Sequence, residues 1–436
     1  MRNRFVLFVF LLLFLVVGGR LFAIQILSNE DYLILAERQR TSSSEIPAAR
    51  GQVLSSGGVL VANEEAYLVF ADPSKIEDPA AAAEKIAPIL LKDKRFFSYN
   101  PLPSNPSNPP SPLEALTEKL QQSLSKEDRR WVSLARKVSA GAVKELREAA
   151  IAGLGFEASP RRFYPEGTLL SAVLGFVASD AQGGDKGYNG LEGYYDGDLR
   201  GKPGRSAQEY SVTGEPILVG SSSLVAPQDG ADLYLTIDRG VQGILERKIK
   251  EGVERYRAKS GSFVVLETET GRVLAMGNYP SFDPGNFTPS PSFPGQKLPP
   301  REVRNLSIAT TYEPGSVMKG VTLSAALDSG KIDPSWTFLD SGPLKIGEAS
   351  INTWDGKHWG RQNLRELLQK SNNVGAAQLA LATGRETLRS AFLNFGFGLP
   401  LGIDLEGEEA GLVKKLKEWR QVDLATAGFG QGVAVT

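Results

Sequence analysis

The sequence of 436 residues contains no cysteine, which excludes a disulfide framework, thiolate catalysis and any thiolate zinc site. It contains one histidine, His358, so a multi-histidine metal site is excluded and a Ser-His-Asp triad would have to use that ring. Neither sign of charge dominates: 49 Lys and Arg against 50 Asp and Glu leave a formal net charge of −1. A near-neutral chain has no global field for gathering nucleic acid, and no such partner is expected. No Gly-rich loop ends in Lys-Ser or Lys-Thr, so a nucleotide site has no support. There is no G-x-S-x-G elbow either, and His358, within Trp354-Asp355-Gly356-Lys357-His358-Trp359, reads as a loop residue. What remains is ordinary globular material, 41% hydrophobic and 23% charged, long enough for two or three domains.

The N-terminus departs from that average. Phe5 to Val17 is unbroken apolar sequence, and Leu21 to Leu27 continues it after Gly18, Gly19 and Arg20. As a helix, residues 5–27 extend about 34 Å, enough for a hydrocarbon core of roughly 30 Å. No Ala-x-Ala pattern follows, so an uncleaved signal-anchor is expected rather than a cleaved signal peptide. Arg2 and Arg4 precede the span, which predicts a cytoplasmic N-terminus and an exported bulk. Arg20 either snorkels to the outer interface or meets a partner helix.

Beyond the span, 28–49 reads as a polar linker, helical over Asn29–Arg40. Short strand-like pieces follow at Gly51–Leu54, Val59–Ala62 and Tyr67–Ala71, with a turn at Gly57-Gly58. Ala80–Leu91, Pro112–Leu124 and Lys126–Ala152 carry helical patterning, the last with Trp131 and Leu134 on one face. Residues 100–112 form a proline-, serine- and asparagine-rich loop, and Gly183–Gly204 reads as irregular structure around Leu191. A boundary near Gln228-Asp229-Gly230 separates 50–228 from 229–436. After it come a strand at Leu233–Ile237, an amphipathic helix at Val241–Arg257, and a hairpin of Ser262–Leu266 with Arg272–Met276 through Thr270-Gly271. Helices follow at Val317–Leu327, Leu364–Lys370 and Val374–Leu381. Strands first and helices later predict an α+β, multidomain protein.

Chemistry concentrates in Glu313-Pro314-Gly315-Ser316-Val317-Met318-Lys319. Ser316 and Lys319 share one face of a first helical turn, where the positive helix end favours a developing alkoxide. A desolvated lysine can lose its proton near neutral pH and take the serine's. The tetrapeptide alone is weak evidence, since about one or two S-x-x-K matches arise by chance at this length. Ser123–Lys126 is another match, read as an exposed polar stretch. Downstream, Ser371-Asn372-Asn373 lies between two helices. Ser371 could relay a proton and Asn373 could hold Lys319 and a substrate carbonyl, or the segment could be a plain N-cap. Ser98-Tyr99-Asn100 has the same spacing but borders the proline-rich loop and is set aside.

In this order the motifs resemble those of the penicillin-binding proteins, S-x-x-K, then S-x-N, then K-T-G. The apolar span, Arg50-Gly51-Gln52-Val53, Arg162-Phe163-Tyr164-Pro165, Leu174-Gly175-Phe176-Val177 and Gly190-Leu191-Glu192 are similar to the anchor and pedestal of the class B branch. Leu235-Thr236-Ile237-Asp238 resembles the entry to a transpeptidase domain, and Glu313-Pro314-Gly315-Ser316 leans to the division type. The resemblance implies a pedestal of dimerisation type and a serine β-lactamase-like domain with an antiparallel sheet flanked by helices. It also implies a D,D-transpeptidase that cross-links D-Ala-D-Ala stem peptides and is acylated by β-lactams, without metal or cofactor. Ser316 would be the nucleophile, Lys319 the base, Ser371 the relay and Asn373 the orienting group; Glu192 and Glu313 would be structural. A membrane glycosyltransferase of the division machinery is the implied partner. A D,D-carboxypeptidase or β-lactamase, or a scaffold for that glycosyltransferase, are the alternatives.

Two departures stand out. Ser55-Ser56-Gly57-Gly58 replaces the usual Asp-Arg-x-Gly turn, and no K-T-G follows Ser371. Lys259-Ser260-Gly261 fits K-[ST]-G but precedes the first motif. With 65 residues after Ser371, the expectation is a chain incomplete at its C-terminus, lacking the last strands and catalytically silent alone.

Overall fold

In a computed structural model of the chain, residues 2–29, 41–100, 111–126, 128–180, 184–209, 222–287 and 303–436 are described. Most of the connector expected over Asn29–Arg40 and most of the proline-rich loop expected over 100–112 lie outside them. Two compact units result: residues 1–52 with 197–233, and residues 53–196 with 234–436.

In the first unit the apolar N-terminus forms the helix Arg2–Phe22, continued by a π-helical turn, Ala23–Leu27. Phe10–Leu27 is long and apolar enough to cross a membrane. Its large side chains are exposed, Phe14 and Leu15 among them, because lipid rather than protein is the solvent such a surface suits. Thr41–Ile46, Gly204–Glu209 and Ser222–Val225 form an antiparallel three-stranded sheet.

The second unit holds the remaining sheets. Val53–Ser55 pairs with Gly58–Glu64 through the expected glycine turn, and Gly58–Glu64 pairs with Arg161–Phe163. Ala66–Ala71 lies between Val132–Ser139 and Leu154–Ala158, all antiparallel. The helices Pro79–Leu91, Pro112–Leu124 and Ala140–Glu148 cover that sheet with Ile86, Leu90, Leu116, Leu120, Val143 and Leu146. Here the structure corrects the helix expected over 126–152, whose first half is the strand Val132–Ser139. Val132, Leu134 and Val138 face the core while Trp131 is exposed, so burial by tertiary pairing overrides a mixed Ala, Lys and Arg composition. The stretch 184–200 is also more regular than expected, with the strand Asp185–Tyr188 and the helical turns Gly190–Tyr194 and Asp196–Arg200.

In the C-terminal part, Gly261–Leu266 and Val273–Tyr279 form the expected antiparallel hairpin, with the helix Arg239–Tyr256 packed on it. Asp238 caps that helix by accepting from Val241 N at 2.9 Å. The strand expected over 233–237 is only Leu233–Tyr234. A helical layer follows. Met318–Asp328, Asn373–Thr383 and Gln421–Ala427 bury Ala326, Ala376, Ala377, Leu379 and Ala425 against one another. Alanine at those contacts lets the helices approach closely, and that closeness sets the spacing of the site.

Candidate active site

The chain enters the site at Gly315, whose φ of +64° suits glycine. Gly315, Ser316 and Val317 form a 3-10 turn that runs into the helix Met318–Asp328. Ser316 is exposed, whereas Lys319, one turn on, is 2% exposed. The glycine-rich run near residue 430 braces this entry. Gly315 N donates to Gly430 O at 3.0 Å, and Tyr312 and Val435 exchange backbone hydrogen bonds of 2.9 Å. Gly430 has φ +79°, and a Cβ there would lie 2.1 Å from Gly315 O, so no larger residue fits. Glu313 accepts from Gly432 N at 2.7 Å, the structural part expected of it.

Ser371-Asn372-Asn373 reaches the same point from the other side. Lys319 Nζ lies 3.1 Å from Ser316 Oγ, 2.9 Å from Ser371 Oγ, 2.6 Å from Ser371 O and 2.7 Å from Asn373 Oδ1. Asn373 Nδ2 donates to Asn352 O at 3.1 Å, which turns the amide oxygen towards the lysine. All four sequence-predicted residues therefore meet around one nitrogen. The capping alternative is realised too, one residue over: Asn372 Oδ1 accepts from Gly375 N at 2.9 Å, while Ser371 and Asn373 face the lysine.

The partners of Lys319 named here are all oxygens of neutral groups. Burial without a carboxylate penalises the ammonium form and pushes its pKa down to about 8. A neutral amine has two N–H donors and one lone pair, so it can donate towards Ser371 and Asn373 while accepting from the Ser316 hydroxyl. The arrangement is chemically able to withdraw a proton from an exposed serine and pass it to a second hydroxyl.

The decoys behave otherwise. Ser123 and Lys126 flank the end of the helix Pro112–Leu124, where Ser125 Oγ donates to Gln121 O at 2.8 Å. Asn100 is buried and bonds the backbone of Phe96 and Arg136, so its role is structural. Lys259-Ser260-Gly261 leads into the strand Gly261–Leu266. Sequence reasoning missed the Asn352 carbonyl and the close approach of Gly430 to Gly315. A backbone carbonyl leaves no mark in sequence; the glycine run was visible, but its contact was not.

Fold and site together define a class: an α+β protein whose exposed serine is paired with a buried lysine and an S-x-N turn. The family model for the penicillin binding protein transpeptidase domain matches residues 261–436, and that for the penicillin-binding protein dimerisation domain matches 45–235. The chain belongs to the penicillin-binding proteins that join these two domains. It is 31% identical to stage V sporulation protein D of Bacillus subtilis, over 100% of this chain and 63% of that protein. It is 28% identical to the probable peptidoglycan D,D-transpeptidase PenA of Neisseria gonorrhoeae, over 100% of this chain and 69% of that one. Among solved structures, penicillin binding protein 2X from Streptococcus thermophilus matches with a TM-score of 0.63 and 26% identity, over 91% of this chain and 57% of that one. The chain thus spans about three fifths to two thirds of these relatives.

Proposed function

We propose that Ser316 is the nucleophile of a peptidoglycan D,D-transpeptidase acting in septal wall synthesis. Its Oγ attacks the carbonyl of a D-Ala-D-Ala stem peptide, and Lys319 takes the proton. Ser371 relays that proton to the departing D-alanine nitrogen, and Asn373 orients the lysine and the substrate amide. An amine from a neighbouring peptide then resolves the ester, restoring the serine hydroxyl. β-Lactams acylate the same oxygen. The observation that carries this reading is the 3.1 Å approach of a nearly buried lysine nitrogen to an exposed serine oxygen. The name of the Neisseria gonorrhoeae relative supports the substrate class.

The 436 residues include no K-T-G after Ser371, the motif that in the family grips the substrate carboxylate and adds an oxyanion donor. Loss of one such donor slows acylation by roughly a hundred- to a thousandfold. Labelling with fluorescent penicillin is therefore followed over hours. Slow labelling that disappears in Ser316→Ala supports the proposal, and labelling that persists in that variant refutes it.

For the envelope we infer a cytoplasmic N-terminus and an extracytoplasmic bulk, supported by Arg2 and Arg4 ahead of the apolar helix. We infer also that the helix and pedestal engage a membrane glycosyltransferase of the division machinery, with Arg20 in the contact. Co-purification that survives Arg20→Ala unchanged refutes the Arg20 contact.

A further inference from the structure

The middle residue of the S-x-N turn points away from Lys319, and what it holds is unused by the mechanism above. Ser371 has φ +51°, left-handed backbone that a serine adopts only when its surroundings impose it. Asn372, 1% exposed, supplies that constraint with its whole amide. Nδ2 donates to Asp340 Oδ2 at 2.7 Å and to Gln362 Oε1 at 2.9 Å, while Oδ1 caps the next helix.

Asp340 is fully buried at the end of the strand Thr337–Asp340, opposite Gly360 of the strand Gly360–Asn363. A buried carboxylate needs donors. Besides Asn372 it has Trp359 N at 3.2 Å and His358 Nδ1 at 2.9 Å. Trp359 reaches the turn by a second route, since the Lys370 ammonium lies 4.4 Å from its ring centroid, one residue before Ser371. The loop carrying the one histidine of the chain thus holds the middle of the Ser371–Asn373 turn and the residue before it.

We infer that Asp340 and His358 are positioning residues for the reaction, holding the Ser371–Asn373 turn against Lys319 through Asn372. This rests on the acyl-transfer reading of Ser316. His358 donates from Nδ1 to Asp340 Oδ1 and fixes the carboxyl group so that Oδ2 stays aimed at Asn372. Without that donor the carboxylate turns towards solvent, Asn372 follows, and Ser371 Oγ and Asn373 Oδ1 drift from the lysine. A displacement of about 1 Å in such a group costs on the order of a hundredfold in rate.

The test uses the side chain that can be changed without opening the core, because the His358 side chain is 33% exposed. His358→Ala removes the donor, His358→Asn restores an N–H near the position of Nδ1, and His358→Gln places one near Nε2. Two readouts are taken on folded protein: the rate of Ser316 acylation by fluorescent penicillin, and amide hydrogen exchange over 370–376. The expected result for Ala is acylation slowed by roughly tenfold or more, with faster exchange confined to the turn. The Asn variant recovers both and the Gln variant recovers less. A merely structural histidine would lower the melting temperature while leaving the acylation rate of folded protein and the order of rescue unmoved. If His358→Ala stays within about twofold of the parent in both readouts, the inference is overturned. If labelling persists in Ser316→Ala while turn exchange still follows the order Ala, Gln, Asn, the acyl-transfer reading fails and the positioning of the turn stands.

Discussion

Two buried cations in the second unit meet opposite fates. Lys319, 2% exposed, lies among hydroxyl, amide and backbone oxygens, and burial drives its pKa down to about 8. Arg161, 4% exposed, also suffers desolvation, but hydrogen bonds and charge from Asp93 and Glu64 outweigh it and raise its pKa. Beside it Arg162 donates to the fully buried Glu192 at 2.6 Å, and Arg95 also reaches Glu64. Burial is common to both regions; the sign of the neighbours differs. A cation buried among neutral acceptors becomes a base, whereas one buried among carboxylates becomes a permanent brace.

The strongest break of the comparison is Lys319→Met, which removes the base but leaves no buried carboxylate unpaired. Acylation is expected to fall below detection by fluorescent penicillin while the fold persists. Its stability effect carries a definite sign. The folded pKa near 8 lies below the unfolded value of about 10.4, so the unfolded chain binds more protons between those values. The wild type therefore gains stability as pH rises from 8 to 10, and the burial cost is fully present below 8. Denaturation midpoints should favour the Met variant at pH 7, with the gap closing by pH 10. An equal gap at both values sinks the assignment of a poised amine. The same amine makes acylation of the parent rise with pH through about 8.

The opposite outcome is expected in the brace. Glu192→Ala leaves the Arg162 guanidinium buried beside an empty site, at a cost of about 3–5 kcal/mol in denaturant unfolding. Acylation per folded molecule should persist. A stabilised variant would mean that the pair is dispensable. A loss of stability is also expected from Gly430→Ala, whose Cβ would lie 2.1 Å from Gly315 O and whose backbone would keep φ +79°. The left-handed backbone alone costs about 1–3 kcal/mol, the clash with the Gly315 backbone adds to it, and the displacement of Gly315 should also slow acylation.

How far the sequence carried this picture depends on whether an interaction is local. Ser316 and Lys319 are three residues apart on a helix entry, so their meeting was readable from spacing. That Ser371 and Asn373 would close on the same nitrogen, 52 and 54 positions from Lys319, came from motif order and resemblance, since no periodicity encodes it. Helices with continuous apolar faces, Pro79–Leu91 and Arg239–Tyr256, were legible within a residue or two. The strand Val132–Ser139 was not, because its partner Ala66–Ala71 is about 65 residues away and its Ala, Arg and Lys suit a helix as well. Asp340 and His358 were illegible as a pair. A lone histidine carries no signal until the fold brings a buried carboxylate to it.

The smallest effect separates a pKa shift from stability. Arg272 and Glu267 flank the turn of the hairpin Gly261–Leu266 and Val273–Tyr279, with Nε to Oε2 and Nη2 to Oε1 each at 2.9 Å. Hydrogen bonding from Arg272 and then Thr270 lowers the Glu267 pKa to about 2, a value as far from ordinary as that of Lys319. Both side chains are solvated, however, so water and salt screen the charge, and two long side chains lose freedom in holding one geometry. Lys319 has neither escape. Glu267→Gln is therefore expected to leave the denaturant midpoint, the acylation rate and the pH profile unchanged within error at 0.15 M salt. A clear loss of stability there would show that a solvated bidentate pair can rival a buried one in this protein, and the rule drawn from Lys319 and Arg161 would have to give way to geometry alone.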